Sequence, residues 1–357
     1  GGSIAWVYDA GCLNIGPQSA GAVPGPACYG RGGSRATVTD ADLICGYINP
    51  DYFLGGSQTL NLEAAKLAIT KEVAEPLNLS LYQAAAGVRH IVDMKMADEV
   101  RVFAARRGVD LTNFTLLPFG GAGAVHAVAV AEELGMKRIL VPARPGAFSA
   151  LGLLCTDVVH DHMRSDLKPL EMITADTAEK IYEELQQKAV DDLISEGLDP
   201  EKAYFSREID LRYTGQGYEL RTSLEGLFSG KLSAMSLSAV RSRFDELHEK
   251  IHGHSAANRS VEVVSYRLRV SVQVPKYQLK TQVATSKDMG NPIKGERLIY
   301  PRGDEAEHAV VYERERLWVG DSFKGPAIIE QFDATTVIPK GWSATVDAHL
   351  NLILEHI

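Results

Sequence analysis

The stretch in this chain best suited to bringing a ligand against the backbone is Phe119-Gly120-Gly121-Ala122-Gly123-Ala124-Val125-His126. Glycine removes the β-carbon, and a helix that follows directly exposes free amide donors at its start. Gly120, Gly121, Ala122 and Gly123 could therefore border a nucleotide, with its adenosine part against the bend, and His126 could touch it. The alternatives are strand-to-helix packing for the glycines and a capping or packing role for His126. The spacing does not match Gly-x-Gly-x-x-Gly, and no phosphate-loop lysine follows.

A second concentration of chemistry lies upstream. Asp40 and Asp42 follow a long Gly/Pro run over residues 16–33. Carboxylates there could hold a magnesium-water shell or polarise a nucleophile, or they could cap a helix after Thr39. Cys28, inside the run, is either a ligand, a reactive thiol or a small packed residue. Asp157, His160, Asp161 and His162, and separately His248, His252 and His254, have spacings that could hold a metal, although polar segments often collect such residues without ligating anything. The metal is left open.

Positioning these groups requires regular elements. Residues 114–119 read as a short apolar strand, 120–123 as a tight loop, 125–134 as a helix and 138–141 as a returning strand. This β-loop-α-β order implies parallel strands and sets the glycine loop at a strand's carboxyl end, where such sheets bind ligands. Ser80 with Gln83 spells a capping box for a helix reaching about residue 107. Further helices are expected over 176–196 and 237–252, and a hairpin over 207–224 turning at Thr214-Gly215-Gln216-Gly217. Strands are expected over 261–274, 309–312, 327–330, 335–338 and 350–354. The opening Gly1-Gly2-Ser3-Ile4-Ala5-Trp6 enters a strand without a methionine, so the chain is expected to begin inside a larger polypeptide.

With 357 residues, 45% of them hydrophobic, the chain can bury more than one core. Its 37 basic and 46 acidic residues, net charge -9, disfavour an extended nucleic-acid surface but leave a local anion pocket open. Four cysteines without close pairing point to reduced thiols in the cytoplasm. No apolar run approaches the ~20 residues of a membrane-spanning helix.

The run from Gly16 through Pro24-Gly25-Pro26-Ala27-Cys28-Tyr29-Gly30-Arg31-Gly32-Gly33 resembles the signature loop of the hydantoinase A family, which includes N-methylhydantoinase, 5-oxoprolinase and the ATP-handling subunits of acetone and acetophenone carboxylases. Residues 37–43, 119–126, 145–152, 210–220 and 325–330 resemble further family blocks in the same order. The resemblance implies an α/β fold: a partial lobe like those of actin, sugar kinases and heat-shock ATPases, followed by α+β and β-rich C-terminal regions. Regions of 1–165, 166–260 and 261–357 are expected. It also implies ATP and Mg2+ as cofactors, with Asp-Gly-Gly-Thr-like phosphate loops upstream of residue 1.

The implied chemistry is ATP-dependent opening of a cyclic amide or imide such as hydantoin, N-methylhydantoin or 5-oxoproline. Amide resonance protects the carbonyl, and phosphorylating its oxygen removes that protection. A hydantoinase B-like subunit or domain is the implied partner, within an oligomer. The alternatives are an ATP-handling subunit of a ketone carboxylase and a non-catalytic assembly module.

Overall fold

A computed structural model describes residues 2–227, 231–232, 234–283 and 289–357. They divide into two compact units, Gly1–Leu153 with Gln278–Ile357, and Leu154–Tyr277.

The first unit opens with an antiparallel hairpin, Ser3–Val7 and Leu13–Ser19. Its Ala5 N–H donates to Ala36 at 2.8 Å, tying it to the chain just before helix Val38–Ile44. Thr37 and Asp40 form a reciprocal capping box at that helix, every residue of which is buried. The long helix Leu81–Ala105 begins at the Ser80–Gln83 capping box, as the spacing implies. Its inward stripe of Ala84, Ala85 and Val88 continues with two charged residues, Arg89 and Asp93.

Thr115–Leu116, the glycine loop, helix Gly123–Glu133 and strand Arg138–Val141 form the expected β-loop-α-β unit, with the two strands parallel. The first strand is shorter than the 114–119 read from sequence. Pro118 has no N–H for a ladder, and Phe114, Leu117 and Phe119 are exposed instead of packed. This pair forms one edge of a five-stranded sheet completed by Leu352–His356, Trp342–Val346 and Ser322–Lys324. The last strand begins two residues after the expected 350, because Leu350 takes a left-handed φ of 63° in the turn closed on Asp347. A second sheet runs Thr335–Ile338, Ala327–Glu330, Glu307–Glu313 and Ile293–Ile299. Helix Gly123–Glu133 joins two cores: Val125 packs with the N-terminal helices, while Ala124, Ala127, Val128 and Ala131 pack with the five-stranded sheet.

The second unit is a four-stranded antiparallel sheet in the order Val158–Pro169, Val261–Val272, Ala203–Tyr213, Leu220–Ser223. Two helices, Ala175–Ser195 and Ala234–His252, contribute to its core. Val261–Val272 alternates buried and half-buried residues along most of its length, as expected of a strand packed on one face. These compact units keep 154–277 together and place 278–357 with the first unit. The polar stretch around 165 is itself a strand, its partner lies about a hundred residues downstream, and 278–357 belong to the first unit. Local patterning does not reveal such distant pairings.

Phe244 is fully buried, edge-on to Tyr213 with ring centroids 5.0 Å apart. Phe244→Ala is expected to cost the second unit about 3–5 kcal/mol in chemical denaturation, and a cost below about 1 kcal/mol would contradict this packing.

Candidate functional site

The Gly/Pro signature run is closed on itself by backbone approach. A β-carbon on Gly33 would lie 2.0 Å from the Gly25 carbonyl oxygen, so only glycine permits that crossing. Asp40 anchors the same run. Its carboxylate accepts from the Cys28 N–H at 2.8 Å, the Ala27 N–H at 3.3 Å, the Thr37 N–H at 3.0 Å and the Thr37 hydroxyl at 2.7 Å. With both oxygens occupied and no exposure, Asp40 works as a clamp between helix and loop. Cys28 is fully buried, and burial, reinforced by Asp40, pushes its thiol far above the usual range, the opposite of an activated nucleophile.

Asp42, two residues on, faces cations. Arg89 Nε lies 2.7 Å from its Oδ1, and His126 Nε2 lies 3.4 Å from its Oδ2. His126 Nδ1 in turn meets Asp93 Oδ1 at 2.7 Å, and the Arg89 guanidinium sits 4.0 Å from the centre of the Tyr47 ring. Arg89, Asp93, His126 and Asp42 are all buried. Burial opposes charge on the His126 imidazole, yet Asp42 and then Asp93 raise its pKa to about 9. Burial likewise opposes charge on Asp42, and His126 with Arg89 holds its carboxyl below the usual carboxylate range. The four side chains form a charge-balanced network of two carboxylates and two cations. Both ring nitrogens of His126 face protein carboxylates, so here it holds Asp42. Sequence reading missed Arg89, Asp93 and Tyr47. The available signal was a charged pair at i, i+4 on an otherwise apolar helix stripe.

Above this network lies a cavity of about 250 Å3. Asp42 and Thr39 border it from one helix, Tyr29 from the signature run, Gly121 and Ala122 from the glycine bend, and residues 330–335 from the turn joining two strands of the second sheet. Gly120 has a φ of +85° and open space where a side chain would project, and its N–H donates to Pro145 at 2.8 Å. A β-carbon on Gly146 would lie 2.1 Å from Asp333 Oδ2, so the 145–152 block leaves room for that carboxylate. Ala122, Gly123 and His126 also border a wider groove of about 580 Å3 with Lys95, Met96 and Pro118.

Most of the histidine groups are engaged elsewhere, while His162 is buried with its Nε2 unmatched and its Nδ1 3.8 Å from Asp192. His160 meets Glu196 at 2.9 Å, while Asp161 and Asp157 pair with Arg269 and Lys276. His248 uses Nδ1 on the His254 carbonyl at 2.7 Å and Nε2 on the Gln216 amide at 3.0 Å. Among the described residues, no three His, Cys, Asp or Glu side chains are grouped to hold a metal ion.

Fold and site together define a mixed α/β protein whose glycine bend, glycine-rich signature run and buried carboxylate meet at one cavity. Residues 1–162 match the hydantoinase/oxoprolinase family and residues 168–357 match the hydantoinase/oxoprolinase C-terminal domain. The chain belongs to the hydantoinase/oxoprolinase family. It is 32% identical to the caprolactamase subunit alpha of Pseudomonas jessenii, over 97% of this chain and 50% of that protein. It is 34% identical to the acetophenone carboxylase gamma subunit of Aromatoleum aromaticum, over 100% of this chain and 50% of that one. The nucleotide-free structure of acetone carboxylase superposes with a TM-score of 0.81 at 26% identity, over 100% of this chain and 51% of that one. The chain thus spans about half the length of the relatives it matches.

Arg89→Met removes one cation and leaves Asp42 under-compensated in the interior. Denaturant unfolding is expected to show a loss of about 3–5 kcal/mol, and a loss below about 1 kcal/mol would contradict the network.

Proposed function

We propose that this chain is part of an ATP-dependent amidohydrolase that opens cyclic amides or imides, and that the cavity beside Asp42 receives the ring. The observation that carries this reading is the meeting of the glycine bend, the signature run and the buried, ionised Asp42 carboxylate at a single cavity. The nucleoside of ATP would lie against the glycine bend, where Gly120 and Gly121 carry no side chain and Gly120 opens to free space. ATP would supply the phosphoryl group that activates the carbonyl oxygen.

The chain's own residues have narrower tasks. Asp42, held between Arg89 and His126, is a weak base but keeps acceptor directions free, which suits orienting the attacking water. Asp40, saturated by its own loop, holds the signature run in place. Neither fits as a direct ligand of Mg2+: Asp42 would have to exchange Arg89 or His126 for the ion, and Asp40 its amide donors. No step is therefore assigned to the ion.

A ketone carboxylase role is the second reading, favoured by the likeness to the acetophenone carboxylase subunit and the acetone carboxylase structure. The names of the relatives as subunits support a hydantoinase B-like partner in a larger assembly. A cytoplasmic setting suits the four free cysteines, and no described helix is long and apolar enough to cross a membrane. By the same proposal residues 1–165 belong to a lobe of an actin-like ATPase.

Steady-state ATPase of the full-length protein with its partner separates these readings. Stimulation by hydantoins or lactams with ring-opened product supports the amidohydrolase, stimulation only by ketones with bicarbonate supports the carboxylase, and no response favours an assembly role. A β-carbon at Gly121 would already lie 3.1 Å from the Asp333 carbonyl oxygen. Gly121→Val is therefore expected to weaken ATP binding by about tenfold or more in calorimetry, and unchanged affinity would count against the bend as the nucleoside's support.

A further inference from the structure

The charges lining the cavity are one-sided. Asp42, Glu330 and Asp333 reach its walls, and no Lys, Arg or His among the described residues does. The nearby cations stand behind the walls and are already committed. Arg89 and His126 hold Asp42. Lys294 lies 2.6 Å from Glu330 Oε2 and 3.1 Å from Glu313, with its ammonium 3.4 Å from the Tyr52 ring centre, and Arg297 takes the other oxygen of Glu330. Glu330 is 2% exposed, with both carboxylate oxygens ion-paired, Oε2 to Lys294 and Oε1 to Arg297.

We infer that the ring admitted to this cavity carries no carboxylate, so that uncharged lactams and hydantoins are selected over an ionised ring acid such as 5-oxoproline. This rests on the reading of the cavity as the ring's site. An entering carboxylate would lose its hydration at a wall whose acidic residues already hold the nearby cations, and no Lys, Arg or His among the described residues lines the cavity to receive it. An uncharged ring loses little, its N–H can donate to a carboxylate already ionised, and its methylenes can rest on the tilted pair Tyr29 and Phe53, whose centroids are 5.6 Å apart. Specificity here comes from a repulsive element fixed in the wall.

The test compares two substrates with one ring, 5-oxoproline and its carboxamide, on the full-length protein with its partner subunit, following ATP-dependent ring opening. The carboxamide is expected to show a kcat/KM about tenfold or more above that of 5-oxoproline. Asp333→Asn, which keeps the side chain's shape and removes one charge, is expected to narrow that gap by raising kcat/KM for 5-oxoproline. Equal or better turnover of 5-oxoproline by the unaltered protein overturns the inference while leaving the amidohydrolase reading intact. An unchanged gap in Asp333→Asn removes the wall charge as its cause. Failure to open either ring overturns the amidohydrolase reading itself, and the inference with it.

Discussion

Two carboxylates and two cations buried together set the terms for everything around them. An ionised carboxylate is costly in an interior unless opposite charge and hydrogen bonds compensate it. Asp42 meets that condition through Arg89 and His126, and His126 through Asp93. The partners come from three helices, Val38–Ile44, Leu81–Ala105 and Gly123–Glu133, so the network fixes how those helices face one another inside the first unit. A carboxylate held at the edge of a cavity is the product of that arrangement.

The glycines complete the geometry by allowing backbone to touch what side chains would keep apart. Gly33 crosses Gly25, and Gly146 makes way for the Asp333 carboxylate. The first crossing shapes the run that carries Tyr29 to the cavity, and the second gives the Asp333 carboxylate room beside the 145–152 block. Packing alone does not explain these contacts. They bring polar groups to one small space, and that space lies beside the glycine bend.

Much of this was legible in the residues. The Ser80–Gln83 capping box marked its helix start, and the β-loop-α-β order placed the glycine bend at the end of a parallel strand. Of the bend's residues, Gly121 and Ala122 border a cavity with Tyr29 and Asp42. Side-chain roles were less legible, because a partner forty-seven residues away leaves no local trace. Asp40 and Asp42 look equivalent in sequence, yet one is filled by loop amides while the other is held between Arg89 and His126 with acceptor directions to spare. His126 looked free to meet a ligand only because Asp93 lies a whole helix upstream. The strand Val158–Pro169 was hidden for a similar reason, since its alternation is polar and its partner Val261–Val272 is remote.

The proton on His126 reports on the network directly, since burial opposes its charge and the contacts with Asp42 and Asp93 favour it. NMR titration of the histidine ring nitrogens, with the His126 signal assigned by its loss in His126→Gln, measures that proton. A midpoint near pH 9 is the expected result. A midpoint at or below the ordinary imidazole value of about 6.5 would mean that the two carboxylates do not hold the charge, and the account of the site's floor would fail.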